Sequence, residues 1–316
     1  MNKFKMWHLA LISLAVFLVF GIIATAAIAS NAALKDTSIW DFNLNRNVFN
    51  LSFGGGKDYT IDTQKDVNVS EAKDITVGAV SAEINIIQTV GDTLSAHLYG
   101  DYNSRSGEIE LEVKQTGSTV KINVKYPTIG IRSANLTLDI QIPESYSGSF
   151  EIGTVSSSVK LECEDISFEE VSLNTVSGRI SIGTLNSEKL NVNTTSGRVS
   201  GTLSSGDLKA NSVSGDFELS DISGYADIDT VSGKVELDIK EYEGVKVDST
   251  SGNVTISFAS AQDFYVKYDT VSGDFDCSLP LMIEKQDRTS IDAYSGNANA
   301  AVIDVNTVSG DLKINQ

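Results

Sequence analysis

The residues that could carry chemistry are few. Two histidines are present, His8 and His97, and two cysteines, Cys163 and Cys277. His8 falls in an apolar leader, which leaves His97 as a single candidate general base with no partner pattern around it. The cysteines are far apart and in no metal-ligand spacing, so neither a disulfide framework nor a zinc site is indicated and both read as small core residues. Gly54-Gly55-Gly56-Lys57 lacks the GxxxxGK[ST] spacing of a phosphate loop. Serine is different, because it recurs beside glycine at Ser177-Gly178, Ser196-Gly197, Ser214-Gly215, Ser232-Gly233, Ser251-Gly252, Ser272-Gly273, Ser295-Gly296 and Ser309-Gly310. No histidine lies within these copies to activate a hydroxyl, so the serines read as turn residues and not as nucleophiles. No catalytic, metal-binding or cofactor-binding residue is assigned.

The elements around those pairs repeat. The unit is h-x-h-x-T-V-S-G-x-h-x-h, with h apolar, as in LNTVSGRISI, VNTTSGRVSG, ANSVSGDFEL, IDTVSGKVEL, VDSTSGNVTI, YDTVSGDFDC, IDAYSGNANA and VNTVSGDLKI. IGTVSSSVKL precedes them, with Ser157 in place of the glycine, and AVSAEINI at 79–86 is an earlier echo. From Ser156 onward the motif serines are spaced 21, 19, 18, 18, 19, 21, 23 and 14 residues apart, a period of about 19.

Within a copy the apolar residues alternate, as in Ala226, Ile228 and Thr230 before the turn and Val235, Leu237 and Ile239 after it. That is the period of half-buried strands. Glycine accepts a positive φ and serine bonds local backbone, so Ser-Gly marks a turn. Strand, turn, strand, turn at near-constant length predicts an all-β, single-chain β-solenoid whose copies stack at about 4.8 Å, nine of them giving a rod on the order of 40 Å. Thr154, Thr175, Thr194, Ser212, Thr230, Ser249, Thr270 and Thr307 then form a hydroxyl column able to bond along the stack, and Val171, Leu190, Leu208, Ala226 and Val245 an apolar one. Cys163 and Cys277 fall about six rungs, ~29 Å, apart, beyond disulfide reach. The competing architecture is an antiparallel sandwich of hairpins.

Upstream, Leu9 to Ala29 is nearly unbroken apolar sequence, long enough for a bilayer-spanning helix. Lys3 and Lys5 precede it and the next basic residue is Lys35, which places the bulk of the chain outside the cytoplasm. An uncleaved single-pass anchor is favoured, and a signal peptide cut after Ala24-Thr25-Ala26 or Ala27-Ile28-Ala29 is the rival. The expected organisation is a 1–30 anchor, a 31–69 juxtamembrane connector and a 70–316 β-repeat domain. Trp40 and Phe42 either meet the lipid interface or cap the domain. Beyond the leader there are 22 basic against 42 acidic groups, so nucleic acid is excluded as a partner.

At the TVSG and TSG copies the chain resembles the bacterial toast-rack family, a β-strand-repeat domain of unknown function often labelled a putative adhesin and found in cell-envelope stress-response operons. The resemblance spans roughly residues 70–316, including EVKQTGSTVKINVKYP and the lead-in IQIPESYSGSFEIGTVSSSVKLE. It implies an extracytoplasmic or membrane-anchored protein with no established catalytic residues.

Three functions compete. The favoured one is a membrane-tethered binding or scaffolding surface that touches an envelope protein or cell-wall polymer. A carbohydrate-active β-helix enzyme would need clustered carboxylates, for which Asp227, Asp229 and Asp248, or Glu218, Glu236 and Asp238, are the outward candidates. A structural protein that self-associates through open solenoid ends is the third.

Overall fold

The computed structural model describes residues 56–127 and 130–316, built from strands with no helix among them. The apolar leader and the aromatic residues Trp40, Phe42, Phe49 and Phe53 lie outside the described residues.

Ahead of the regular copies come β1 (Lys57–Asn68), β2 (Asp74–Ala79), β3 (Glu83–Thr89), β4 (Thr93–Ser104), β5 (Glu110–Thr116), β6 (Thr119–Lys125), β7 (Ile131–Pro143) and β8 (Ser149–Thr154). Three long strands follow, β9 (Val159–Thr175), β10 (Ile180–Thr194) and β11 (Val199–Ser212). Then come β12 (Phe217–Ile222), β13 (Tyr225–Thr230), β14 (Val235–Ile239), β15 (Gly244–Ser249), β16 (Val254–Phe258), β17 (Phe264–Asp269) and β18 (Phe275–Cys277). The chain finishes with β19 (Met282–Gln286), β20 (Ser290–Ser295), β21 (Val302–Thr307) and β22 (Leu312–Asn315). β1 falls in the stretch read as connector, and it pairs with β4 as part of the folded unit.

Successive copies stack in parallel, which rules out the sandwich of hairpins. The strands that enter each Ser-Gly turn form one ladder, in the order β6, β2, β8, the second halves of β9, β10 and β11, then β13, β15, β21 and β17. Those that leave it form another, in the order β7, β3, the first halves of β9, β10 and β11, then β12, β14, β16, β22 and β18. These are the entry face and the exit face of the rod. β9, β10 and β11 are long because each runs off one turn on the exit face and into the next on the entry face.

Alternation buries the same position of every copy. Phe150, Val171, Leu190, Leu208, Ala226, Val245, Ile303 and Val266 are aligned in register on the entry side and buried. Val159, Ile180, Val199, Phe217, Val235, Val254 and Leu312 do the same on the exit side. The two columns face each other and fill the interior with aliphatic and aromatic side chains, the term that drives the coil to close.

Sequence order is not stacking order at either end. The last copy, β21 and β22, is inserted between the copy of Ser251 and the copy of Ser272, since β21 pairs with both β15 and β17 and β22 with both β16 and β18. The copy containing Ser295-Gly296 is no rung. Its strand β20 runs antiparallel to β17 and pairs with β19, so this hairpin caps the entry face. The step of 23 followed by 14 records this detour: the motif encodes a rung's shape and leaves its place in the stack to the rest of the chain. At the opposite end β5 lies antiparallel on β6, β4 on β7 and β1 on β4. With the inserted rung, Cys163 and Cys277 are separated by seven strand steps in place of six, about 34 Å along the stack. Both are free, Cys163 buried and Cys277 half-buried.

Candidate functional site

The Ser-Gly turns line up as a ridge. Ser177, Ser196, Ser214, Ser232, Ser251, Ser272 and Ser309 each donate a backbone N–H to a carbonyl in the adjacent turn, which continues the ladder around the corner. The glycines are required for space more than for a positive φ. A Cβ on Gly178, Gly197, Gly215, Gly233, Gly252, Gly310 or Gly273 would sit 2.0 to 2.3 Å from the carbonyl oxygen of the neighbouring turn, and of these only Gly233 has a positive φ, at 138°. At the first turns Ala82 and Ser157 occupy this position, and the Ser157 hydroxyl accepts a hydrogen bond from the Ala82 N–H.

The hydroxyl column forms as expected, and Thr154, Thr175, Thr194, Ser212, Thr230, Ser249, Thr307 and Thr270 are all buried. Its hydrogen bonds, however, stay within each turn and do not run along the stack. Thr194, Ser212, Ser249, Thr270 and Thr307 each accept the N–H of the glycine three residues on, at 2.6 to 2.8 Å. The turn N–H points inward beside the hydroxyl, so this local bond satisfies a buried donor that the ladder leaves unpaired. These serines and threonines hold the fold and form no reactive site.

Two outward faces remain. On the exit face Glu218 and Glu236 stand in register with Asp238 beside them, along an open groove of about 580 Å³ bordered by Ser200, Thr202 and Ser220. Lys234 forms an ion pair with Glu236. The second carboxylate trio is on the entry face, where Asp227 pairs with Lys246 and Asp229 with Asp248. Lys246 Nζ lies 2.6 Å from Asp248 and 3.6 Å from Asp227, inside the trio the sequence offered as acid–base candidates. Burial, the largest influence on Lys246, opposes its charge, but the surrounding carboxylates outweigh it and hold the ammonium protonated. Asp229 is pushed above the usual carboxylate range by burial and by the nearby charge of Asp227. Among the described residues, no three His, Cys, Asp or Glu side chains are placed to hold a metal ion.

Lys246 belongs to a longer pattern that single copies do not reveal. In stacking order the entry face reads Lys209, Asp227, Lys246, Asp304, Lys267, Asp292 and Lys285, an unbroken alternation of sign across seven neighbouring strands. Cross-strand neighbours of opposite charge attract, so the alternation fixes register while leaving that column nearly neutral. The next column begins as an amide ladder, in which Asn211 donates to Asn193 at 2.9 Å and Asn193 to Asn174 at 2.8 Å.

On the other side of the charged column runs a row of apolar and aromatic residues: Tyr225, Gly244, Val302, Tyr265, Tyr294 and Met282, in register on β13, β15, β21, β17, β20 and β19. A Cβ on Gly244 would touch the Tyr225 ring at 2.9 Å, so that ring lies over the glycine. Tyr265 and Tyr294 stack with centroids 6.5 Å apart and planes 11° from parallel. Tyr265 donates its hydroxyl to Glu284 at 2.9 Å, and Lys267 stands over its ring. Tyr225, Val302 and Met282 are 40, 37 and 64% exposed.

His97 has partners after all. Its Nε2 is 2.7 Å from Asp62, and its ring lies 4.8 Å from that of Tyr99, on the outer surface of β4. The pairing joins β1 to β4 across 35 residues of sequence, a separation that spacing rules do not reach.

Parallel two-strand rungs coiled about an apolar interior define a solenoid-like β-repeat protein. The family model described as Toastrack DUF4097 matches residues 72–315, and the chain belongs to that family. Similar solved structures include a "putative adhesin" from Bacteroides fragilis, at 15% identity and a TM-score of 0.50, covering 82% of this chain and 97% of that one. A "putative lipid binding protein" from Parabacteroides distasonis is 14% identical over 83% of this chain and 98% of its own, with a TM-score of 0.42. A "putative adhesin" from the same organism is 12% identical over 82 and 97%, with a TM-score of 0.35. No curated protein matches the sequence.

Proposed function

We propose that the chain is a membrane-tethered, extracytoplasmic binding or scaffolding protein of the cell envelope, adhesin-like, that acts through the stacked faces of its rod and not through a catalytic centre. The leader at 9–29 supports the tether and the lysines before it support the orientation. The adhesin name of the Bacteroides fragilis structure is consistent with a surface role.

The observation that carries the reading is the register. Outward positions of consecutive rungs fall into straight, uninterrupted columns, which is the geometry of an extended contact surface and not of an enclosed pocket. A hydrolase reading is disfavoured by Lys246, which pairs with two of the three entry-face carboxylates, Asp227 and Asp248, that would have to act as acid and base.

Crosslinking tests the proposal. A photoreactive residue placed at position 265 or 218 of the full chain, in its native envelope, should capture an envelope protein or cell-wall polymer on at least one face. Repeated capture of nothing from either face would overturn the binding role.

A further inference from the structure

The row of Tyr225, Val302, Tyr265, Tyr294 and Met282 has the dimensions of a track. It crosses six neighbouring strands with Gly244 among them, five steps of strand spacing or about 24 Å, and it runs along the rod axis. It is one residue wide, bordered by the alternating column of Asp227, Lys246, Asp304, Lys267 and Asp292.

We propose that this track binds a linear glycan chain lying along the rod, its sugar rings against the apolar and aromatic row and its hydroxyls on the charged column. The assignment rests on the binding role proposed above and names its ligand.

Shape and chemistry both select that occupant. A globular partner needs an apolar contact several residues across, with charges kept to the rim. Here charge begins one residue to the side. An extended peptide joins a sheet at an edge strand, where its backbone groups find partners, and this track crosses the strands on an outward face that offers none. A pyranose presents one face of C–H groups and a perimeter of hydroxyls. Tyrosine supplies rigid, amphipathic contact area for the first, and alternating carboxylates and ammonium groups accept from and donate to the second. Near neutrality along the column also spares an uncharged ligand the cost of displacing one sign of charge.

The experiment is a calorimetric titration of the full chain in nanodiscs with cellohexaose and chitohexaose, in parallel with retention of the same protein on native envelope material. At least one hexasaccharide should bind. Tyr265→Ala and Tyr294→Ala should each weaken it about tenfold, equivalent to about 1.4 kcal/mol. Tyr265→Phe, which keeps the ring, should stay within about threefold of the unaltered protein. Lys65→Ala, on β1 at the opposite end of the stack, should change nothing. Circular dichroism melts that superimpose for all four variants establish that the effect is on binding, and a variant that unfolds is replaced by Tyr225→Ser. If both hexasaccharides fail to bind while envelope retention persists, the track assignment is overturned and the binding role stands. If binding occurs but is indifferent to the tyrosines, the track is likewise wrong. Failure of binding and retention together overturns both.

Discussion

The carbonyl oxygen of Gly178 occupies the space into which a side chain on Gly197 would grow, 2.1 Å from where its Cβ would be. The same relationship links Gly197 to Gly215 and Gly252 to Gly310. The turns approach so closely because they continue the ladder, and a methyl group there must push two rungs apart. Gly197→Ala is therefore expected to destabilise the protein by about 3 kcal/mol, the upper part of the range for overpacking. Gly153→Ala, where a Cβ would come no nearer than 4.0 Å to the Val77 carbonyl oxygen, should change stability by less than about 1 kcal/mol. Urea unfolding of both variants checks the contrast, and equal losses would show that the turn column is not packed as described.

Thr194 accepts the buried N–H of Gly197 at 2.8 Å, so its hydroxyl has a definite task. Thr194→Val keeps the shape and orphans that donor, at an expected cost of about 1–3 kcal/mol. Thr194→Ser retains the acceptor and should recover most of the loss. A serine variant as unstable as the valine one would indicate that the methyl group, not the hydroxyl, matters.

Much of this architecture was legible because it is written in register-independent form. Alternation at Ala226, Ile228 and Thr230 fixes which face is buried, and near-constant spacing makes like residues stack, so the buried columns followed from the sequence. Rank in the stack did not follow, since TVSGDLKI and TVSGDFDC specify equally good rungs and nothing local says which lies next to VDSTSGNV. The Ser295-Gly296 copy misled for the same reason, as its turn matches the motif while its strand runs antiparallel to β17. A signal that separates it from the other Ser-Gly copies was present: Ala293 stands where those copies carry Thr or Ser, so it lacks the hydroxyl that caps the turn. The alternating charge column and the tyrosine row could be read only after Val302 was known to lie beside Tyr265, because they join strands distant in sequence.

Asp229 continues the column that holds Asn174, Asn193 and Asn211, yet its carboxyl is raised by burial and then by Asp227. A folded-state value above the ordinary one means the native protein retains this proton more tightly. The stabilising contribution is thus full below the usual carboxylate range and is lost as pH rises through the folded value. Asp229→Asn removes that loss and gives Asn211 an amide donor, so it should stabilise the protein at pH 7 by about 0.5 kcal/mol, the scale of one cross-strand pair. The advantage should vanish as pH falls below the ordinary carboxylate range. Thermal melts at pH 7 and at acid pH test this, and an advantage independent of pH would assign it to packing alone.

The two thiols should differ in kind. Burial pushes the Cys163 thiol up to about 12, while Cys277, on the short terminal strand β18, is raised mainly by its own partial burial. At pH 8 in native buffer, iodoacetamide should label Cys277 slowly and Cys163 only on global unfolding, because the thiolate is the reactive form. Peptide mass spectrometry over time reads both sites. Labelling of Cys163 at the rate of Cys277 would mean that the rung of β8 and β9 opens on its own.

Stacking order makes the sharpest demand on the fold. β21 lies between β15 and β17, so Lys246 and Asp304 are direct neighbours while Lys246 and Lys267 are two strands apart. Neighbours in a ladder are about 4.8 Å apart and second neighbours about 9.6 Å, and a disulfide spans Cα separations of roughly 4.4 to 6.8 Å. The pair Lys246→Cys and Asp304→Cys should therefore crosslink under mild oxidation, and Lys246→Cys with Lys267→Cys should not. Were the copies stacked in the order of the sequence, β15 would touch β17 and the outcomes would exchange. Non-reducing electrophoresis of the two double variants, with the buried Cys163 and the distant Cys277 as internal controls, decides between the arrangements.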